Sequence, residues 1–462
     1  MIRLTVKDIA NAVNGNLMSG NEDVWINGVS TDSRTIRKGE LFFALKGPNF
    51  DGHRFIEDVL NKGVAGAVIN AECGMRNAEF PVIQVEDTLA ALGDLARYWR
   101  GLHPVPLIAV SGSCGKTTTK EMIASILNAS RTIIKTEGNL NNLIGLPLTL
   151  FGLNNIHKAA VVELGISEKG EMQRLARICK PDVAVLTNIG EAHMSTLGSI
   201  EGVASAKGEL FQEMDTSGTA IINMDDPRLA SMAGNIRAKK ITFSVKPAPA
   251  GSKQGSKADV MLKGEGQETT FIVMGEEIPV RLQYAGAHNL SNAAAAIAAA
   301  IQLGATKEEI IEGLSSVKPL CGRMEIISLA NGITIIDDTY NANPLSMEAS
   351  LKSLAAMKRR KIAVLADMLE LGDIAQAAHK NIGRLAKEFG IEFLFATGNF
   401  RKDVAKGALD AGMPADKIFE AADKTGLVEA LHNIIRDGDS ILVKGSRGMK
   451  MEEVVKQLKI RN

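Results

Sequence analysis

Leu107-Ile-Ala-Val-Ser-Gly-Ser-Cys-Gly-Lys-Thr-Thr118 is the stretch on which the fold turns. Leu107 to Val110 form an apolar run of strand length. A Gly-rich turn follows, and then a segment with apolar residues at Met122, Ile123, Ile126 and Leu127, a helical spacing. Strand, Gly-rich loop and helix in that order make a phosphate-binding loop. Its backbone N–H groups cradle phosphates at the helix N-terminus, a Lys reaches the β- and γ-phosphates, and a Ser or Thr hydroxyl reaches Mg²⁺. Lys116 and Thr117 fit those two roles. Val110 stands where the first Gly of the usual pattern would be. The plain alternative is a Gly-rich turn with a chance Lys, and the strand–loop–helix context weighs against it.

Working outward, Ala159–Val162 and Val183–Leu186 read as further buried strands with helical stretches between them. This alternation predicts a mostly parallel, doubly wound sheet. On the N-terminal side, Leu41–Leu45 and Ala65–Ile69 read as strands and 58–62 as helix, giving a small α/β unit. A helix is expected over Asp87–Arg100, with apolar positions Leu89, Leu92, Leu95, Ala96 and Trp99. The first boundary is placed just before it. On the C-terminal side, residues 245–257 form a polar Gly/Pro/Ser stretch, read as an exposed loop. Three short antiparallel strands are expected after it, at Asp259–Leu262, Thr270–Met274 and Ile278–Leu282. Ala293–Ile301 reads as a tightly packing helix. The last section repeats the α/β pattern, with strands at Thr334–Ile336, Ile362–Leu365, Phe393–Ala396 and Ser440–Val443. The expected fold class is α/β in three domains: a small N-terminal α/β domain (1–86), a central P-loop domain (87–317) and a C-terminal Rossmann-like domain (318–462).

Composition limits the function classes. In 462 residues, 53 Lys+Arg balance 53 Asp+Glu, so the formal net charge is zero. A nucleic-acid binder should carry a basic excess or stripe. No apolar run approaches the roughly 18 residues of a membrane span. The first eight residues lack the features of a secretory signal. The four cysteines lack metal-ligand spacing and read as reduced thiols, which predicts a cytoplasmic protein.

Other residues fall where ligands of a parallel sheet bind, at strand carboxyl ends. Glu163 follows one strand and His193 another. Alone each reads as structural; beside a P-loop both become candidate metal-site residues, since phosphate-bound Mg²⁺ takes oxygen ligands. Asp337 and Asp338 end a strand and precede Thr339-Tyr-Asn-Ala-Asn-Pro344, which also reads as an Asx-rich turn. Lys444-Gly-Ser-Arg-Gly448 reads equally as an anion-binding turn or a solvated loop. These residues predict an ATP-using, Mg²⁺-dependent α/β protein and leave kinase, ligase and NTPase switch open.

Nearly the whole chain resembles the Mur ligase family of peptidoglycan synthesis. The resemblance rests on Ser30-Thr-Asp-Ser-Arg34, Gly112–Thr118, Asn139-Leu-Asn-Asn-Leu-Ile-Gly-Leu-Pro147, Glu163-Leu-Gly165, Thr187–His193, Ala206-Lys-Gly-Glu209, Asn223–Pro227, Gly286–Asn292 and Gly322-Arg-Met-Glu325. A P-loop without its first Gly is normal in this family. Asp337–Met347 and Ala366–Gly372 resemble the member that adds D-alanyl-D-alanine to UDP-N-acetylmuramoyl-tripeptide. The Asp-Asn-Pro-x-Arg stretch of the diamino-acid-adding member is not present in that region.

The resemblance implies ATP and Mg²⁺ as cofactors and ligation through an acyl phosphate. It implies nucleotide contacts from Gly112, Ser113, Cys114, Gly115, Lys116, Thr117 and Thr118. Asn289 and Asn292 are expected on the adenine side, and Arg323 and Asp338 at phosphates and ribose. Thr117, Glu163, His193 and a carbamylated Lys207 are expected around the metal, with Lys116, His193 and Lys207 as the catalytic set. Ser33, Arg34 and Asn49 are expected to hold the UDP moiety, the Asn141–Asn142 pair to line the substrate channel, and Asn341, Asn343 and Ser346 to meet the dipeptide. The expected partners are these two small substrates, without nucleic acid or membrane, and the expected state is a monomer.

Overall fold

A computed structural model describes residues 2–70, 80–247, 258–264, 269–284 and 286–461. Cys73 and most of the polar stretch read as a loop (248–257) lie outside the described residues. The fold is α/β in three domains, each built on a largely parallel sheet.

The central sheet has nine strands. Leu107–Ser111 lies inside it, paired in parallel with Ala159–Glu163 on one side and Val183–Leu186 on the other. All five residues of Leu107–Ser111 are buried, as expected for a strand covered on both faces. Ile133–Lys135 adds to one side, and Thr219–Asn223 and Lys239–Ser244 add to the other, also in parallel. These three strands were not among the expected ones. The far edge ends in Val260–Gly264, Thr269–Val273 and Glu276–Val280, the last two pairings antiparallel. The third of these sits two residues earlier than expected. Met274 (φ 50°) and Gly275 (φ 94°) are both left-handed and make a two-residue hairpin turn, so the return strand starts at once. Helix Ala287–Ala300 covers this sheet with Ala293 to Ala300 fully buried. Its small side chains let it pack against the P-loop helix, Lys116–Asn128.

The N-terminal sheet has the order Asn16–Ser19, Val82–Val85, Gly66–Asn70, Leu41–Phe43, Val29–Ser30, parallel except for its first pair. Helix Thr88–Leu102 joins it to the central domain. Thr88 Oγ1 donates to Ala44 O (3.0 Å) on the N-terminal side, and Trp99 Nε1 donates to Leu153 O (3.2 Å) on the central side. One apolar core runs through both domains around this helix.

The C-terminal sheet has six strands: Glu325–Ser328, Thr334–Asp338, Ser440–Lys444, Lys361–Leu365, Phe393–Thr397, Ile418–Ala421. Only the Glu325–Ser328 pairing is antiparallel. That strand and Ile418–Ala421 are edge strands with mixed burial, which left no continuous apolar run to read. Among the described residues, no helix is long and apolar enough to cross a membrane.

Candidate active site

The carboxyl ends of the central and C-terminal parallel strands face each other across a cavity of about 330 Å³. The P-loop forms its floor. Gly115 caps the Lys116–Asn128 helix in the left-handed region (φ 82°) and supplies no capping side chain. The first N–H groups of that helix are therefore left for an anion. A Cβ on Gly115 would lie 2.3 Å from Asn292 Oδ1, so only glycine fits there. The loop is held from behind. Ser113 Oγ donates to Gly190 O (2.9 Å), the Cys114 N–H donates to Asn188 Oδ1 (2.9 Å), and Thr187 Oγ1 donates to Cys114 O (2.5 Å).

Lys116 Nζ donates to Gly112 O (2.9 Å), curling back over the loop. Desolvation pulls its ammonium below the ordinary value, and Glu163 opposes that shift. Burial pushes the Cys114 thiol up, so it is a wall of the loop and not a thiolate. Thr117 Oγ1 donates to Glu163 Oε2 (2.7 Å), and Asn141 Nδ2 donates to Glu163 Oε1 (2.8 Å). Glu163 is thus a carboxylate only 2% exposed, held by neutral donors beside the P-loop hydroxyl. That oxygen-rich set suits a hard cation such as Mg²⁺. Thr118 also lines the cavity.

His193, in the left-handed region (φ 54°), lines the same cavity. Its Nδ1 lies 2.6 Å from Glu370 Oε2 of the C-terminal domain, and this contact holds the Glu370 carboxyl below its usual range. Lys207 does not line the cavity. It is 1% exposed, close enough to Lys116 to feel its charge. Burial above all, with Lys116 adding, drives its ammonium well below the ordinary lysine value.

The C-terminal domain supplies the opposite wall. Successive residues of a strand point to opposite faces, so Asp338 faces the cavity while Asp337 turns away and accepts from Thr339 Oγ1 (2.7 Å). Asp338 accepts from Ser350 Oγ (2.6 Å) and the Met324 N–H (3.1 Å), and pairs with the buried Lys444 ammonium. Lys444 also donates to Asn341 O (3.0 Å). Arg323 stacks on the Tyr340 ring at 3.8 Å. Asn343 and Ser346 form a capping box on helix Pro344–Ala355, and Asn343 Nδ2 reaches Ser113 O (3.2 Å), bonding this domain to the P-loop. On the central side, Asn292 Nδ2 donates to Asn289 Oδ1 (3.0 Å), both residues buried. Asn142 lines the cavity, with its side-chain oxygen accepting from the Ile144 and Gly145 N–H groups.

The predicted residues divide accordingly. The P-loop, Asn142, Glu163, His193, Asn289, Asn292, Arg323, Asp338, Asn341, Asn343 and Ser346 converge on one cavity. Lys207 lies outside its lining. Ser33, Arg34 and Asn49 lie apart in the N-terminal domain, where exposed Arg34 forks onto Asp32 (2.7 and 2.9 Å). Sequence reasoning placed Asn141 with Asn142 at the substrate channel, but it did not single out Tyr340, Lys444 or Glu370 as site residues. Each lies inside a quoted stretch, but nothing in the sequence says which member of the stretch faces the cleft.

Comparison with known proteins shows the family. Three family models match in succession: Mur ligase family, catalytic domain, over residues 25–100; Mur ligase middle domain over 110–300; and Mur ligase, glutamate ligase domain, over 322–447. A Bacillus subtilis UDP-N-acetylmuramoyl-tripeptide–D-alanyl-D-alanine ligase is 39% identical over 99% of both chains. A crystal structure of MurF from Acinetobacter baumannii superposes with a TM-score of 0.90 at 32% identity, covering 100% of each chain. A MurF ligase from Thermotoga maritima, solved with ADP, gives 0.83 at 28% identity, over 94% of this chain and 97% of that one. The chain belongs to the Mur ligase family.

Proposed function

We propose that this chain is the ATP-dependent ligase that joins D-alanyl-D-alanine to UDP-N-acetylmuramoyl-tripeptide through an acyl phosphate. The observation that carries this is the full-length likeness to ligases of that name, together with a P-loop and a C-terminal wall on one cavity. A diamino-acid-adding ligase is disfavoured, because 341–346 reads Asn-Ala-Asn-Pro-Leu-Ser. A switch without ligase activity is disfavoured, because it needs no acceptor-binding domain.

The chemistry sets the roles. A carboxylate is a poor electrophile and must be phosphorylated before an amine can attack it. Bringing it to ATP sets two anions together, which requires neutralising charge. Lys116 and the helix N-terminus behind Gly115 supply that charge at the β- and γ-phosphates, with Gly112, Ser113, Cys114 and Thr118 shaping the loop. Asn289 and Asn292 take the adenine side. Arg323 and Asp338 reach ribose and phosphates from the C-terminal domain. Bound Mg²⁺ would add Lewis-acid neutralisation, with Thr117, Glu163 and His193 as the residues that would hold it. Lys207 would support it as a carbamate: burial favours the neutral amine, which adds to CO₂ with loss of a proton and becomes an anion. His193 and Lys207 complete the catalytic set with Lys116.

We assign Ser33, Arg34 and Asn49 to the UDP end, Asn142 to the channel, and Asn341, Asn343 and Ser346 to the wall against which the dipeptide lies. The domain limits that go with these roles are 1–86 for the donor, 87–317 for ATP and 318–462 for the acceptor. Docking of the third domain onto the second excludes water that would hydrolyse the acyl phosphate. The enzyme is assigned to the cytoplasm, where ATP is available, and as a monomer.

The test is ATP-dependent phosphate release with UDP-N-acetylmuramoyl-tripeptide. D-Ala-D-Ala should support it and diamino acids should not. Release without any amine would favour a switch, and release only with a diamino acid would move the chain to the other ligase class.

A further inference from the structure

The segment Ala366-Asp-Met-Leu-Glu-Leu-Gly372 crosses from the C-terminal domain to the start of the short helix after His193. It makes two bonds there with one residue. Glu370 Oε2 lies 2.6 Å from His193 Nδ1, and Glu370 O accepts the Ser195 N–H at 3.2 Å. Both Glu370 (φ 63°) and His193 (φ 54°) stand in the left-handed region, uncommon for residues with a Cβ. Such conformations persist where the surroundings fix them.

The surroundings here do so. Asp367 accepts the Asn399 (2.7 Å) and Phe400 (3.0 Å) N–H groups. The Met368 N–H donates to His379 Nε2 (2.9 Å), and the Leu369 N–H donates to Ser446 Oγ (2.9 Å). The segment is therefore rigidly mounted on its own domain, and Glu370 is the part that reaches across. The Glu370 carboxylate is 60% exposed and the His193 ring 27%. A pair that open adds about 0–1 kcal/mol to stability, so folding does not explain it. It does fix a ring: with Nδ1 bound to a carboxylate, Nε2 is the nitrogen left for the cavity that His193 shares with Thr117 and Glu163.

We propose that Glu370 is a positioning residue that orients the His193 ring across the interdomain cleft, so that the central domain's metal-side histidine is set only when the C-terminal domain is docked. This rests on the reading of His193 as a Mg²⁺-side residue. It makes docking a condition for metal-site geometry as well as for ATP contact.

The test uses the full chain with Glu370→Ala and Glu370→Gln. The amide oxygen of Gln can still accept from Nδ1–H, whereas Ala cannot. With Ala, the Mg²⁺ concentration for half-maximal phosphate release should rise about 10–100-fold, while KM for the UDP donor stays unchanged. In the metal-free protein, hydrogen exchange across 193–197 should lose protection with Ala and keep it with Gln. Wild-type Mg²⁺ dependence and wild-type protection in Glu370→Ala would overturn the proposal. So would equal damage from Ala and Gln, or parallel loss of thermal stability and donor affinity. If the wild-type enzyme releases no phosphate with D-Ala-D-Ala, the ligase reading fails, and the metal-free exchange experiment still decides whether Glu370 positions His193.

Discussion

Replacing Gly115 with Ala tests the core of the nucleotide site through backbone geometry alone. At φ 82° an alanine pays the left-handed penalty, about 1–2 kcal/mol. Its Cβ would also fall 2.3 Å from Asn292 Oδ1, which no real contact tolerates. Asn292 is 5% exposed, donates to Asn289 Oδ1 and accepts from Thr119 Oγ1 at 3.3 Å. Pushing it aside weakens two buried hydrogen bonds of about 1 kcal/mol each. The expected total is about 3 kcal/mol. It divides between stability, if the loop keeps its shape under strain, and nucleotide affinity, if the loop relaxes and turns its N–H groups away. Taken wholly as affinity this is about a hundredfold in Kd. Calorimetric titration with ADP and denaturant unfolding, read on the same variant, measure the two parts. The double variant with Asn292→Ala removes the clashing oxygen, so the two changes should be non-additive by at least about 1 kcal/mol. Gly115→Ala with wild-type ADP affinity and wild-type unfolding free energy would refute the P-loop geometry. A strictly additive double variant would refute the contact with Asn292.

Three further outcomes are expected. Lys116→Ala should lower ligation at least about 10²–10³-fold while binding of the UDP donor, measured by calorimetry, survives. Lys207→Ala should lose activity that short carboxylic acids partly restore in the phosphate-release assay; unaltered activity would make Lys207 a packing residue only. Asp439, 2% exposed, takes both Arg360 Nε (2.8 Å) and a terminal nitrogen of the same guanidinium (2.6 Å). Its replacement by Ala leaves the half-buried Arg360 guanidinium with Ile434 O (2.6 Å) and the Phe393 ring, and should destabilise the C-terminal domain by about 1.5–3 kcal/mol, read by thermal unfolding with ADP affinity as a control.

What the sequence made legible follows from the range of the forces involved. The P-loop was legible because strand, loop and helix are contiguous, so 12 residues carry the whole signal from Leu107 to Thr118. Most long interior strands were legible as apolar runs, but Thr219–Asn223 and Lys239–Ser244, with polar residues at their ends, were not, nor were Glu325–Ser328 and Ile418–Ala421, half-covered at an edge. The Met274–Gly275 hairpin was misplaced because two left-handed residues shorten the turn. Site residues came out where a stretch resembles the family. Their partners did not, because Glu370 meets His193 across 177 positions of chain. Even the burial of Lys207, which turns a surface-like residue type into an amine with a depressed pKa, is invisible in its neighbours Ala206 and Gly208.

The zero net charge now has a physical reading. Among the described residues, three Lys and Arg side chains line the cavity: Lys116, Arg323 and Lys444. Lys444 is already engaged by Asp338, and Lys116 sits where desolvation disfavours its charge. Arg323 belongs to the other domain and is held on Tyr340. The central domain alone therefore offers a polyphosphate little fixed positive charge beyond Lys116 and a helix terminus. Docking of the C-terminal domain adds Arg323, and, on the proposal above, also sets the His193 ring. Neutralisation and water exclusion then depend on the same docked arrangement, so the acyl phosphate would form in a cleft enclosed by both domains. A chain built this way needs no basic surface, because its positive charge is gathered from two domains at the place where two anions must meet.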